Sequence, residues 1–153
     1  MISLILISIF SVIGLFFSLK NEGLFQKIIT IGLSISVFIA WAGNSSILLV
    51  SLLIQLIFGV ISAIYALKVS GLSLIERISI GITGLLVSVG TLGIINHYPW
   101  QLELRLSLII PILLFIWISI KNIRKLSKEF GFMLIWFALM IFQFLHYLEK
   151  LFY

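Results

Sequence analysis

Polar and charged residues interrupt this sequence at few places, and the interruptions divide it into long apolar runs. Residues 1–19 form the first, closed by Lys20, Asn21, Glu22 and Gly23. Residues 28–67 carry no charge at all. As one helix that run would extend ~60 Å, twice the hydrocarbon thickness of a bilayer, so it must turn back on itself. Gly43, Asn44, Ser45 and Ser46, near its middle, supply a polar, flexible turn. Residues 78–102 follow and exit through Asn96, His97, Tyr98, Pro99 and Trp100. A shorter run covers 106–120, and the last covers 130–148.

No run alternates polar and apolar positions with a period of two, which argues against a lipid-facing β-barrel. Backbone facing lipid must satisfy its own hydrogen bonds, so helices are the default. The pattern predicts six of them, at about 2–19, 25–42, 46–67, 75–95, 103–120 and 130–150. The expected fold is all-α, a compact bundle of six transmembrane helices in one transmembrane domain with short loops. The second helix takes in Lys27, which can snorkel to the interface. The fifth reaches full length only by including Glu103 and Arg105, and it contains Pro111, which removes a backbone hydrogen bond or kinks the helix. A re-entrant fifth segment, giving five spans, is the alternative. The first run lacks the basic start and small-residue cleavage site of a signal peptide, so it reads as a span.

Composition agrees with this pattern. The 153 residues are 62% hydrophobic and only 10% charged, with a mean hydropathy of +1.31. Soluble domains are about half apolar and roughly a quarter charged. Six spans consume nearly the whole length and leave no room for a soluble catalytic domain. With no cysteine, disulfides, thiolate-ligated clusters and a cysteine nucleophile are excluded.

Charge placement predicts orientation. Six spans put Lys20, Lys27, Lys68, Arg77, Lys121, Arg124, Lys125 and Lys128 on one side and Arg105 and Lys150 on the other. By the positive-inside rule the N- and C-termini lie outside, in a multi-pass protein of a cytoplasmic (plasma) membrane. The net charge of +5 is then no nucleic-acid signal. Lys121, Arg124, Lys125 and Lys128 are expected to contact anionic lipid headgroups. There is no glycine-rich phosphate loop and no nucleic-acid recognition pattern.

Candidate chemistry is sparse. In the fourth helix, Gly81, Gly84, Ser88 and Thr91 form a stripe of small residues, which suits close helix packing or a narrow polar path. Gly32, Ser36 and Ala40, and Gly59 and Ala63, repeat small residues at every fourth position. Gln55 lies near mid-depth of the third helix, and Gln143 lies in the outer half of the sixth. Each needs a cross-helix partner or a ligand. No Asp, Glu, Lys or Arg falls at the midplane, which argues against an ion pump or voltage sensor. His97, Glu103, His146 and Glu149 fall on the outer side, and together they suit an interfacial salt-bridge cluster, a divalent metal or haem. No cofactor is required by the pattern. Nucleophilic catalysis has no foothold, since the serines lack a paired base.

Three function classes remain open. The first is a non-catalytic subunit or self-associating module, in a homo-oligomer or larger membrane complex. The second is a small transporter or channel for a neutral or weakly charged solute, which requires a cavity walled by Gln55, Thr91 or Gln143. The third is a haem- or metal-binding protein using the outer His/Glu group.

Overall fold

The computed structural model describes residues 2–20, 23–42, 44–96, 99, 101–122 and 129–152, with the side chains of 2, 3, 101, 102, 105, 122 and 146–152 outside that description. The described residues form an all-α bundle of seven helical segments: α1 (Ile2–Leu19), α2 (Leu24–Ala40), α3 (Ser45–Lys68), α4 (Leu74–Ile95), α5 (Gln101–Ser107), α6 (Ile109–Asn122) and α7 (Phe130–Phe152). Two of them, α3 and α4, are long and apolar enough to cross a membrane.

Local chemistry sets the helix ends. Asn44 caps α3 by accepting from the Ser46 amide at 3.1 Å. Ser73 and Glu76 form a reciprocal capping box at the start of α4. The α3–α4 turn passes through Gly71 at φ +94°, where a side chain would be strained. Arg77 reaches back across that turn and donates to the carbonyls of Ala66 (3.0 Å) and Leu67 (2.7 Å). It thereby satisfies acceptors that the end of α3 leaves open.

The sequence predicts one continuous fifth helix, but the chain breaks at Leu108, and α5 and α6 occupy its place. Pro111 explains the position of the break. It has no amide to give the Ser107 carbonyl four residues earlier, and its ring crowds that carbonyl. The Ser107 hydroxyl donates to the Leu104 carbonyl at 2.6 Å, and the helix resumes with the Ile112 amide on the Leu108 carbonyl at 3.2 Å.

Neighbouring helices pack in a ring. α1 meets α2, α2 meets α3, α3 meets α4, α4 meets α5 and α6, both of these meet α7, and α7 closes back onto α1. α7 also touches α2 across the ring. Its first half is accordingly apolar all round and supplies the centre of the core. Phe132, Ile135 and Trp136 are completely buried there, and Met133 and Met140 nearly so. The Trp136 indole donates to the Ser62 hydroxyl at 3.3 Å, which satisfies its one polar atom.

Two contacts bring backbone against backbone. Gly14 of α1 faces Gly131 of α7, where an added Cβ on either would lie 2.6 Å from the other's carbonyl oxygen. Gly59 of α3 faces Gly84 of α4 in the same manner. The Phe58 ring fills the space that a side chain on Gly32 would need.

Many hydroxyls are buried beside the apolar core, and many large apolar side chains are exposed. Thr30, Ser36, Ser62, Ser79 and Thr91 are fully buried. Leu67 (76% exposed), Ile120 (80%) and Leu113 (58%) stand on the outside, as do Ile9, Phe16 and Ile57. Apolar area on this scale is not left open to water by ordinary monomeric domains.

Candidate functional site

The starts of α2, α4 and α7 and the ends of α1, α3 and α6 share one end of the bundle, here called the basic end. A cavity of about 300 Å³ lies in the other half. Its walls come from five helices: Leu4 and Ile7 of α1, Val37 and Ala40 of α2, Leu48, Ser51, Leu52 and Gln55 of α3, Ile94 of α4, and Leu139, Phe142 and Gln143 of α7. Among the described residues, the polar lining comes from Ser51, Gln55 and Gln143, and none that line the cavity is charged.

The two glutamines are held differently. Gln55 is 6% exposed and its amide donates to the Ser51 hydroxyl across a long 3.5 Å. Ser51 in turn donates to the Ser36 carbonyl of α2 at 2.8 Å, which fixes it to the neighbouring helix. An amide offers two N–H donors and one carbonyl, so this single long bond leaves Gln55 with capacity for a ligand. Gln143 approaches α4 at Gly90, its Oε1 4.0 Å from where a Cβ there would sit. An apolar chamber with a few convergent polar groups suits a small uncharged molecule carrying a carbonyl or hydroxyl.

The small-residue stripe of α4 lies elsewhere. Gly84 and Ser88 are buried in the α3–α4 contact, and Gly81 faces Ala66 at ordinary van der Waals distance. Ser88 donates to the Gly84 carbonyl at 2.7 Å and reaches the Leu56 carbonyl of α3 at 3.4 Å. Thr91 is fully buried, and its hydroxyl has no hydrogen-bond partner among the described residues. None of these four residues lines the cavity.

Of the expected outer group, Glu103 is exposed on α5. His97 and the side chains of His146 and Glu149 lie outside the described residues. Among the described residues no three His, Cys, Asp or Glu side chains gather as metal ligands. Of the basic loop, Lys121 places its ammonium 4.5 Å from the centre of the Trp117 ring, and Lys20 sits similarly over Phe16 at 4.4 Å. Arg124, Lys125 and Lys128 lie outside the described residues.

The sequence pattern did not single out a polar cluster at the basic end. The Tyr65 hydroxyl donates to Glu129 Oε1 at 2.7 Å, and Gln26 Nε2 donates to the Tyr65 oxygen at 2.7 Å and to the same carboxylate oxygen at 3.2 Å. Gln26 is 8% and Glu129 3% exposed. The cluster ties the starts of α2 and α7 to the end of α3. Glu76 is also buried at this end, with one carboxylate oxygen in the capping box and the other without a partner among the described residues. Both carboxylates lie toward the helix ends. Neither a protein-family model, nor a curated protein, nor a solved structure matches this chain.

Proposed function

We propose that this chain is a six-span integral protein of a plasma membrane, with both termini outside, acting without catalysis as a module that receives a small neutral solute from the outer side. The cavity walled by Gln55 and Gln143 carries the reading. It lies in the half of the bundle that the charge asymmetry assigns to the outside. The basic half beneath it is filled by Phe132, Met133, Ile135 and Trp136 and cinched by the Gly14–Gly131 contact. A chamber in one half of the bundle with packed side chains filling the other suits a binding state of a transporter or a receptor subunit. Buried hydroxyls and outward-facing Leu, Ile and Phe support the membrane setting.

Extraction of small molecules from purified protein tests the cavity. A neutral compound is expected to accompany the wild-type chain and to be lost from Gln55→Leu, which conserves volume, and from Val37→Trp, which fills the chamber. An identical extract from all three proteins would remove the proposal. Topology has its own test, helped by the absence of native cysteine. A single cysteine replacing Asn44 should react with an impermeant thiol reagent in intact cells, and one replacing Lys125 should not. The opposite labelling would reverse the orientation.

A second reading, a subunit that packs against a larger partner, draws on the apolar outer faces of α1 and α6, where Phe16, Leu113 and Trp117 are exposed. Copurification of a stoichiometric partner would favour it.

A further inference from the structure

We propose that the lateral groove between α2 and α3 at the basic end binds one anionic phospholipid, with its acyl chain against Phe25, Ile28, Ile61 and Ile64 and its phosphate at Lys68. The proposal rests on the six-span reading and adds a lipid ligand to it.

The groove has a volume of about 470 Å³, and among the described residues Tyr65 and Lys68 are the only polar side chains on its wall. It opens sideways rather than into the bundle, because Phe25 (64% exposed), Ile28 (45%) and Ile64 (48%) form its outer rim. In a bilayer, acyl chains are the apolar groups that meet such a face.

Charge selects the headgroup. Lys68 is the last residue of α3 and is exposed, so its ammonium can snorkel to phosphate depth while its stem lines the groove. The open carbonyls of a helix C-terminus would ordinarily repel an anion. Here Arg77 covers those of Ala66 and Leu67 with its guanidinium, which adds a second cation at the same helix end. Lys20 and Lys27 belong to the same basic side of the sequence. A zwitterionic lipid would satisfy the apolar wall but not this charge excess, so the anionic headgroup is the better match.

Tyr65 links the groove to the interior. One side of the residue lines the groove, and its hydroxyl holds Glu129. A lipid seated there rests directly on the cluster that fastens α2, α3 and α7.

Native mass spectrometry of the detergent-solubilised full chain, with equal phosphatidylglycerol and phosphatidylcholine added, tests the site. The wild-type protein is expected to retain one phosphatidylglycerol with about fivefold preference, the factor expected of one interfacial lysine. Lys68→Gln should lose that preference, and Ile61→Trp should retain less of either lipid. Equal retention of both lipids by the wild-type chain, or an undiminished preference in Lys68→Gln, overturns the site. Resistance to alkaline carbonate extraction separates the two readings. A chain released by carbonate overturns the six-span reading itself. A chain that stays in the membrane while Lys68→Gln keeps its preference overturns the lipid site alone.

Discussion

Gly84→Ala is expected to destabilise the bundle by roughly 1–2 kcal/mol, whereas Gly81→Ala, one turn earlier on the same helix, is expected to stabilise it by up to about 1 kcal/mol. Both changes gain the same intrinsic preference of alanine over glycine within a helix, about 1 kcal/mol. They differ in what the new methyl group meets. At Gly81 the nearest atom is the Ala66 Cβ at 3.6 Å, an ordinary contact. At Gly84 the new carbon would lie 2.5 Å from the Gly59 carbonyl oxygen and 2.9 Å from the Ala63 amide nitrogen. Those are backbone atoms of α3, which cannot rotate aside as a side chain would. The helices must separate, and the Gly59 and Ser88 contacts loosen with them. Overpacking of this kind costs about 1–3 kcal/mol, more than propensity returns. Reversible unfolding of the two variants in mixed detergent, followed by circular dichroism, measures the difference. If Gly84→Ala proves as stable as Gly81→Ala, the close approach of α3 and α4 is wrong.

That comparison also marks what could be read from the sequence. A stripe of Gly81, Gly84, Ser88 and Thr91 announces a packing face because helical periodicity is local. It does not say which of the four touches backbone. The pattern does not pair Gly14 with Gly131, although Gly14 and Ser18 are four apart on α1 and Ser18 packs on Gly131. The missing information was the pairing of α1 with α7, which no local pattern carries. Helix ends were more legible. The pattern puts the third and fourth helices at about 46–67 and 75–95, and they run over Ser45–Lys68 and Leu74–Ile95, although it does not single out the Ser73–Glu76 box at the start of α4. Pro111 marked the weak point of the fifth helix, but the break falls at Leu108, since the proline acts on the carbonyl four residues behind it.

The two glutamines illustrate the same division. An amide inside an apolar run signals that something polar must meet it, and this pointed to both Gln55 and Gln143. Their placement on one chamber depends on α3 and α7 both bordering the ring's interior, a consequence of ring closure rather than of either helix. Gln26, Tyr65 and Glu129 are separated by 39, 64 and 103 positions along the chain. Alternating helix directions do place the start of α2, the end of α3 and the start of α7 at one end. Glu129 stood out less because it follows a run of lysines and an arginine, where an acidic residue reads as a surface partner. Only side-chain placement reveals that it turns inward, to 3% exposure.

Glu129→Leu should therefore cost about 3 kcal/mol, well beyond what losing a surface carboxylate would. The carboxylate oxygen accepts from both Tyr65 and Gln26. Hydrogen bonds to a charged acceptor contribute about 1.5–3 kcal/mol, and a buried donor left without a partner costs about 1–3 kcal/mol. Gln26 keeps its bond to the Tyr65 oxygen in the variant, so the Tyr65 hydroxyl is the donor left stranded. Glu129→Gln retains an acceptor oxygen at nearly the same place and should lose only about 1 kcal/mol. The stranded donor also predicts a particular non-additivity. Tyr65→Phe removes the hydroxyl, so once it is present Glu129→Leu has less left to break. The double variant should be more stable than the sum of the single losses by about 1–2 kcal/mol. Amide exchange should quicken at the starts of α2 and α7 and the end of α3, and remain slow around Gln55, since the cluster and the chamber lie in opposite halves of the bundle. Strict additivity of the two substitutions would mean that Tyr65 and Glu129 do not act as a pair, and that α7 is fastened to α2 and α3 by apolar packing alone.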